Sequence, residues 1–461
     1  MPKLDKSTKE FRAAGHKLID WIGDYFDNID SYDVLSRVQP GDIEKKFPAQ
    51  PSESGRPYDE LIADFNEKLV PGITHWNHPA FFAYFSITGS QAGVLGELLS
   101  GAINANGMLW KTSPSLTELE TLALRWVRDA LGLPSNLFGI INDTASINVF
   151  LALAAAREDL GLNIRGEGMT GRDLPPLRVY LSEHTHSSAE KGALALGFGQ
   201  KNVVKIACDD ALRMRPDALE EAIARDRANG MLPCVVVATC GTTSSAAVDP
   251  IRAIGEIANR EKIWYHVDAA YAGSAMICPE LRVHWDGIEL ADSLIFNPHK
   301  WLFTPIDCSV LYTRKPKVLR ETFALVPEYL TTTDTAEINY MDYGLQLGRR
   351  FRALKLWMVL EHYGLEHLRG VIRDQLSFAQ RLADELRKRD DIEFLAPPMF
   401  SVIVFRKKGS DEENMALLER MNASGKLFVS HTKLRGRYGI RVALGNGATE
   451  WRHVAQILDF L

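Results

Sequence analysis

Cys234-Val-Val-Val-Ala-Thr239, Ile263-Trp-Tyr-His-Val267 and Ser293-Leu-Ile-Phe296 are short apolar runs that begin about 30 residues apart. They are too short for buried helices and apolar on both faces, which is the pattern of strands covered from both sides in a parallel sheet. Val179-Tyr-Leu181 and Val203-Val-Lys-Ile206 precede them, and Ser309-Val-Leu-Tyr312 follows. Amphipathic windows at 216–227 and 250–261 lie between the runs. Alternating strand and helix over residues 175–315 predicts an α/β fold with a mostly parallel sheet.

Working outward, Phe11, Ala14, Leu18, Ile19, Ile22 and Phe26 recur at helical spacing and predict an N-terminal amphipathic helix. The Pro- and Ser-rich stretch 48–57 reads as a connector. Ser113-Pro-Ser-Leu-Thr-Glu118 predicts a helix start with an early proline and a Ser-x-x-Glu capping box. A buried stripe of Leu116, Leu119, Ala123, Trp126, Val127 and Ala130 follows. Beyond residue 366 a long helix (372–389), two strand-like runs (401–405 and 439–443) and a last helix predict a smaller α+β domain.

Composition narrows the function. Lys+Arg is 53 and Asp+Glu is 59 of 461 residues, a net charge of −6, so no polybasic footprint for nucleic acid or anionic lipid is present. No run approaches a membrane span, and the N-terminus lacks the apolar stretch of a signal peptide. The five cysteines are odd in number and form no Cys-x-x-Cys, which argues against a disulfide scaffold or a cysteine-type zinc knuckle. The expectation is a soluble cytoplasmic protein. Gly166-Glu-Gly-Met-Thr-Gly171 matches a dinucleotide loop but follows a helix and precedes a strand, the wrong order for a pyrophosphate on a helix N-terminus. His184-Thr-His186 and His75-Trp-Asn-His78 lack the frame of a known metal motif, so no metal is expected.

The informative segment is Asn297-Pro-His-Lys300-Trp301. A lysine placed just after a buried strand among Pro, His and Trp loses proton affinity, as a Schiff base to an aldehyde cofactor requires. Asp268 ends the 263–267 run 32 residues earlier, the length of one strand-helix-strand unit. Both side chains can therefore emerge at the carboxyl edge of the sheet. Pyridoxal phosphate needs that pair, because a carboxylate against the pyridine nitrogen keeps the ring an electron sink. Ala145, Ser146, Asn297 and His299 are candidates for its phosphate, and His186 and Thr243 for the two sides of the ring.

Six segments carry a resemblance: Thr74-His-Trp76, Phe81-Phe-Ala-Tyr-Phe85, Ser113 through Glu120, His266-Val-Asp-Ala-Ala-Tyr-Ala-Gly-Ser274, Phe296-Asn-Pro-His-Lys-Trp301 and Leu347-Gly-Arg-Arg-Phe-Arg352. Together they resemble the aromatic-L-amino-acid decarboxylases, the group II pyridoxal-phosphate decarboxylases, nearly end to end. The resemblance implies an aspartate-aminotransferase-like fold (fold type I) and a homodimer with shared active sites. Residues 1–80 would be a helical segment packing on the partner, 81–365 the large cofactor domain and 366–461 the small one. It makes Lys300 the Schiff-base lysine and Asp268 the partner of the ring nitrogen. Ala270 and His186 take the two ring faces, and Thr243 lies beside the cofactor. Ala145, Ser146, Asn297 and His299 hold the phosphate. Trp76, Tyr84, Phe85 and Gly348 resemble substrate-pocket positions, with Met108 in a piece donated by the partner.

Tyr329 matches the residue that returns a proton to the substrate carbon. Related aldehyde synthases replace that tyrosine by Phe or the stacking histidine by Asn. Both Tyr329 and His186 are present here, which favours decarboxylation to the amine over aldehyde formation. Gly348 leaves room for a wide ring and leans the substrate toward tryptophan or hydroxytryptophan, with tyrosine and dihydroxyphenylalanine also possible. A catalytically impaired binding protein is the reading from another class. The family loop Gly-Ser/Thr-Ala-Ser-Glu-Ala is here Asp143-Thr-Ala-Ser-Ile-Asn148. An aspartate beside a phosphate dianion repels it unless its side chain turns away. Arg349 and Arg350 are expected in intrachain ion pairs.

Overall fold

The structure, a computed structural model, describes residues 7–325 and 337–461. Among the described residues eleven strands form two sheets. In chain order they are β1 (Phe138–Asn142), β2 (Leu177–Ser182), β3 (Val203–Ile206), β4 (Leu232–Thr239), β5 (Trp264–Asp268), β6 (Ser293–Phe296) and β7 (Ser309–Thr313). The remaining four are β8 (Ile392–Phe394), β9 (Val402–Lys407), β10 (Ser430–Leu434) and β11 (Arg437–Ala443). The large sheet has the order β1-β7-β6-β5-β4-β2-β3, and the small one β10-β11-β9-β8.

In the large sheet only β7 runs against its neighbours β1 and β6; the other pairings are parallel. Two reversals across β7 restore β1 to the common direction, so the strands β1, β2, β4, β5 and β6 end at one edge. In-register partners Thr239↔Asp268 and Asp268↔Ile295 align three of those ends. That edge is where ligands bind in open α/β sheets. The expectation of a mostly parallel α/β sheet holds. Strands β1, β8 and β10 were not anticipated, because β8 has three residues and β10 (Ser-His-Thr-Lys-Leu) is polar and half-exposed.

The N-terminal helix Thr8–Asp27 forms behind a Ser7 cap, but its apolar stripe stays largely uncovered, with Phe11 at 64% exposure. The helix Pro114–Ala130 begins on Ser113 with Pro114 in its first turn, yet the expected capping box does not form. Glu118 Oε1 instead accepts from Trp110 Nε1 at 2.8 Å. Trp126 is exposed, and Thr117 and Glu120 join the buried face. Ala80–Ala83 pack with β9, β11 and the far half of the Arg352–Arg387 helix in a core separate from that of the large sheet. That helix breaks at Gly364, whose φ of 69° no residue with a side chain adopts cheaply.

Glu120 and Arg349 form a wholly buried ion pair at 2.6 Å, which fixes the 106–107 turn because the Arg349 amide donates to Asn106 Oδ1 at 3.0 Å and its carbonyl accepts from the Gly107 amide at 2.9 Å. Arg350 pairs with Glu97 at 2.6 Å nearer the surface. Both arginines therefore meet acids of their own chain. Arg349→Ala strands the Glu120 charge in the interior, and urea unfolding is expected to register a loss of about 3–5 kcal/mol. Among the described residues no helix is long and apolar enough to cross a membrane.

Candidate active site

The common strand edge opens into a cavity of about 260 Å³ lined by Ala145, Ser146, His186, Thr243, Asp268, Ala270, Asn297, His299 and Lys300. Ile87, Thr144, Ser188, Thr239, Gly241 and Ile306 complete its wall. All nine residues expected around the cofactor thus meet in one place. Two larger hollows, of about 600 and 750 Å³, have no lysine in their walls.

Each residue is positioned by the strand before it. Asp268 is the last residue of β5 and is 5% exposed; its carboxylate accepts from the Ala270 amide at 3.0 Å, which holds the turn after the strand. Lys300 stands in the one-turn helix Pro298–Trp301 that follows β6. Its Nζ lies 5.1 Å from the centre of the Phe85 ring. Burial lowers the lysine's proton affinity and Arg441 lowers it further, while Asp268 opposes both. An amine so placed is neutral more often than a surface lysine, which is what a nucleophile needs.

His186 caps the helix Ser187–Ala195, and its Nδ1 accepts from the Ser188 amide at 3.2 Å. That bond leaves the proton of the neutral ring on Nε2. Burial lowers its pKa, with Asp268 working against the shift and Lys300 adding to it. His299 is fixed the same way: Nδ1 accepts from the Cys308 amide at 2.9 Å, and burial pushes its pKa down to about 3. It is a neutral donor at physiological pH.

A buried chain of amides orients Asn297. Asn142 donates to Asn148 at 2.7 Å, Asn148 to Ser309 Oγ at 2.8 Å, and Ser309 to Asn297 Oδ1 at 2.6 Å. With Oδ1 taken, Asn297 has its Nδ2 to offer a ligand. Asn148, which departs from the family loop, is a member of this chain.

Asp143 turns back on its own loop. Its Oδ1 accepts from the Thr144 amide at 2.5 Å and from the Thr144 hydroxyl at 3.1 Å, and its Oδ2 from Gln346 at 3.1 Å. The helix Ala145–Glu158 starts beside it with Thr144 capping the Ile147 amide. The Ala145 and Ser146 amides have no partner among the described residues, as expected in a first helical turn. They form a ready anion site.

The donor set suits pyridoxal phosphate. The cavity wall offers an amine, a carboxylate, unpaired helix-start amides, Asn297 and neutral His299. The Thr239 hydroxyl, buried in the wall, has no hydrogen-bond partner among the described residues.

The expected substrate positions are more dispersed. Phe85 is buried, stacks on Tyr271 at 3.9 Å and sits over Lys300. Trp76 stacks on Phe81 at 4.4 Å and Tyr84 at 5.8 Å, and Tyr84 is exposed; neither lines the cavity. Met108 and Gly348 lie at the 106–108 turn, where a side chain on Gly348 would meet only Asn106, at 3.8 Å. Tyr329 lies outside the described residues.

Arg441 escaped the sequence reading. It is 3% exposed in β11, donates from Nε to the Thr243 carbonyl and from Nη1 to the Tyr84 carbonyl, and stacks 4.7 Å from the Phe85 ring. Its Nη2 has no hydrogen-bond partner among the described residues. Burial pushes its pKa down to about 10, so it stays cationic at neutral pH. The available signal was a lone arginine inside the apolar run Gly439-Ile-Arg-Val-Ala443.

Residues 40–408 match the model of the pyridoxal-dependent decarboxylase conserved domain. Among curated proteins, the chain is 40% identical to a phenylacetaldehyde synthase of Arabidopsis thaliana over 467 residues, 97% of this chain and 94% of the relative. It is also 40% identical to tryptophan decarboxylase 2 of Oryza sativa subsp. japonica over 464 residues, 97% and 92% of the two chains. Among solved structures, that of Oryza sativa TDC with PLP and tryptamine superposes with a TM-score of 0.95 at 37% identity, covering 100% of this chain and 98% of that one.

Proposed function

The chain belongs to the pyridoxal-dependent decarboxylase family, and on that premise we propose how its residues act on an aromatic L-amino acid. It is a pyridoxal-phosphate-dependent decarboxylase that converts such an amino acid to the arylalkylamine and carbon dioxide. We propose tryptophan or hydroxytryptophan as the preferred substrate. The observation that carries the site is the convergence of nine residues from five strand ends on one cavity.

The bound cofactor supplies an aldehyde carbon for the substrate amine and a ring that accepts the electron pair left by departing carbon dioxide. In our reading Lys300 would hold the cofactor through its side-chain amine. Asp268 would hold a proton on the ring nitrogen, and Ala270 and His186 would pack against the ring. Thr243 keeps the edge of the ring in place, tied through its carbonyl to Arg441. The Ala145 and Ser146 amides, Asn297 Nδ2 and His299 Nε2 bind the phosphate. Phe85 excludes water above Lys300. Trp76, Tyr84, Met108 and Gly348 shape the aromatic subsite once a second copy is present, and Tyr329 delivers a proton to the substrate carbon.

The uncovered stripe of the N-terminal helix and the exposed Leu95, Leu98, Leu99 and Ile103 of the helix Gln91–Ile103 support a homodimer. On this reading residues 1–80 pack on the partner, 81–365 form the cofactor domain and 366–461 the small domain. A cytoplasmic location is part of the same proposal. Replacing Leu98 and Ile103 together by glutamate is expected to shift the protein to monomers in light scattering and to remove most activity.

Asp143 places a negative charge next to the proposed phosphate site. Asp143→Asn is therefore expected to tighten pyridoxal phosphate about fivefold, the equivalent of about 1 kcal/mol between charges across partly hydrated protein. Cofactor titration followed by absorbance measures it.

The proposed function is tested by competition. Equimolar tryptophan, tyrosine, dihydroxyphenylalanine, phenylalanine and glutamate are supplied with pyridoxal phosphate, and every product is identified by mass spectrometry. Tryptamine in excess over the other amines is expected. Arylacetaldehyde with ammonia and peroxide would select the aldehyde-synthase chemistry of the Arabidopsis relative, and no product would end the catalytic reading.

A further inference from the structure

The turn after β2, Glu183-His-Thr-His186, carries two histidines with different surroundings. His186 lines the cofactor cavity, whereas His184 does not. Ser182 pairs with Ile206 in the parallel ladder of β2 and β3, so the residues beyond both strand ends emerge side by side. Cys208 stands two residues past that pair. The ligating atoms of Glu183, His184 and Cys208 all lie within 4.8 Å of one another.

The chemistry of the three groups is selective. A carboxylate oxygen, an imidazole nitrogen and a thiol sulfur do not suit magnesium or calcium, which take oxygen ligands. They suit zinc and its soft neighbours. Zinc ligands about 2.0–2.3 Å from the metal are about 3.3–3.8 Å from each other on a tetrahedron. Atoms already within 4.8 Å reach that arrangement by side-chain rotation. Neither the Glu183 carboxylate nor the His184 imidazole has a hydrogen-bond partner among the described residues. The other four cysteines are buried, whereas Cys208 is half-buried; burial pushes its thiol up to about 11, so it is a thiol until a metal displaces the proton. Among the described residues the cation felt at His184 is Arg435, which is engaged by the Asp210 carbonyl at 2.6 Å and its carboxylate at 3.6 Å.

We propose that Glu183, His184 and Cys208 form a binding site for a thiophilic divalent cation of the zinc class, with water at the fourth position. On binding, the Cys208 sulfur gives its proton to solvent and its electron pair to the metal, with no change of oxidation state. The site lies two residues from His186 on the same turn but uses none of the cofactor residues.

Cadmium is the probe. The holoenzyme, freed of metal by chelator and desalted, is titrated with cadmium while the ultraviolet cadmium–thiolate band is followed. One equivalent per chain is expected to raise the band. Cys208→Ser is expected to abolish it. His184→Gln is expected to weaken binding by about a hundredfold or more, since even a group that only orients a ligand is worth roughly 10–100-fold. Glu183→Gln, an isosteric change at an exposed position, is expected to weaken binding as well. No band in the unaltered protein, a band surviving Cys208→Ser, or an affinity unchanged from that of the unaltered protein in the His184→Gln and Glu183→Gln variants would overturn the site.

Discussion

Lys300→Ala is expected to lower kcat for tryptophan by at least about 10³-fold, the scale on which loss of a reacting group is felt. The expectation rests on what surrounds the amine. Lys300 Nζ lies over the Phe85 ring in a pocket that burial and Arg441 both make unfavourable for an ammonium. Such a lysine is ill suited to holding the structure together, and no salt bridge to it is present among the described residues. Circular dichroism and size-exclusion profiles are therefore expected to stay unchanged while turnover disappears. Lys300→Arg separates charge from nucleophilicity: it keeps a cation in the cavity and is expected to be as inactive as the alanine variant. Recovery of more than a tenth of the activity in either variant would show that the amine is not the reacting group.

Asp268→Asn is expected to reduce kcat by about 10²–10³-fold, the effect of removing one oriented charge from a buried reacting centre. Asparagine preserves the shape, and its side-chain oxygen can still accept from the Ala270 amide, so the turn after β5 survives. What disappears is the negative charge. That charge raises the proton affinity of both Lys300 and His186, so the variant's Lys300 amine is expected to titrate at lower pH than in the unaltered protein. A spectrophotometric titration reads the shift. A variant that lost activity only through misfolding would not move it in that direction.

The gathering of the candidate site residues was legible because they sit within a few positions of strand ends that announce themselves as apolar runs. Asp268 closes β5, Asn297 follows β6, and His186 and Thr243 stand four residues beyond β2 and β4. Once the parallel order is inferred, those ends must share an edge. Arg441 was not legible, because it enters from β11 in the other sheet and its meeting with Thr243 depends on how the two sheets dock. Asn148 looked like a defect in the phosphate loop and is instead a link in the chain that orients Asn297. Asp143 shows the limit from the other side. Its charge could be read, but not that its carboxylate folds back onto Thr144 and Gln346. The capping box after Ser113 failed because Trp110 offered Glu118 a partner that local sequence rules do not weigh.

The proposed bond between Lys300 and pyridoxal phosphate can be tested chemically. The holoenzyme is treated with borohydride, digested, and mapped by mass spectrometry for a phosphopyridoxyl group. The group is expected on the peptide containing Lys300, in a ratio approaching one per chain, and is expected to be absent when tryptophan is added in excess before reduction. Labelling of another lysine, or of none, would contradict it.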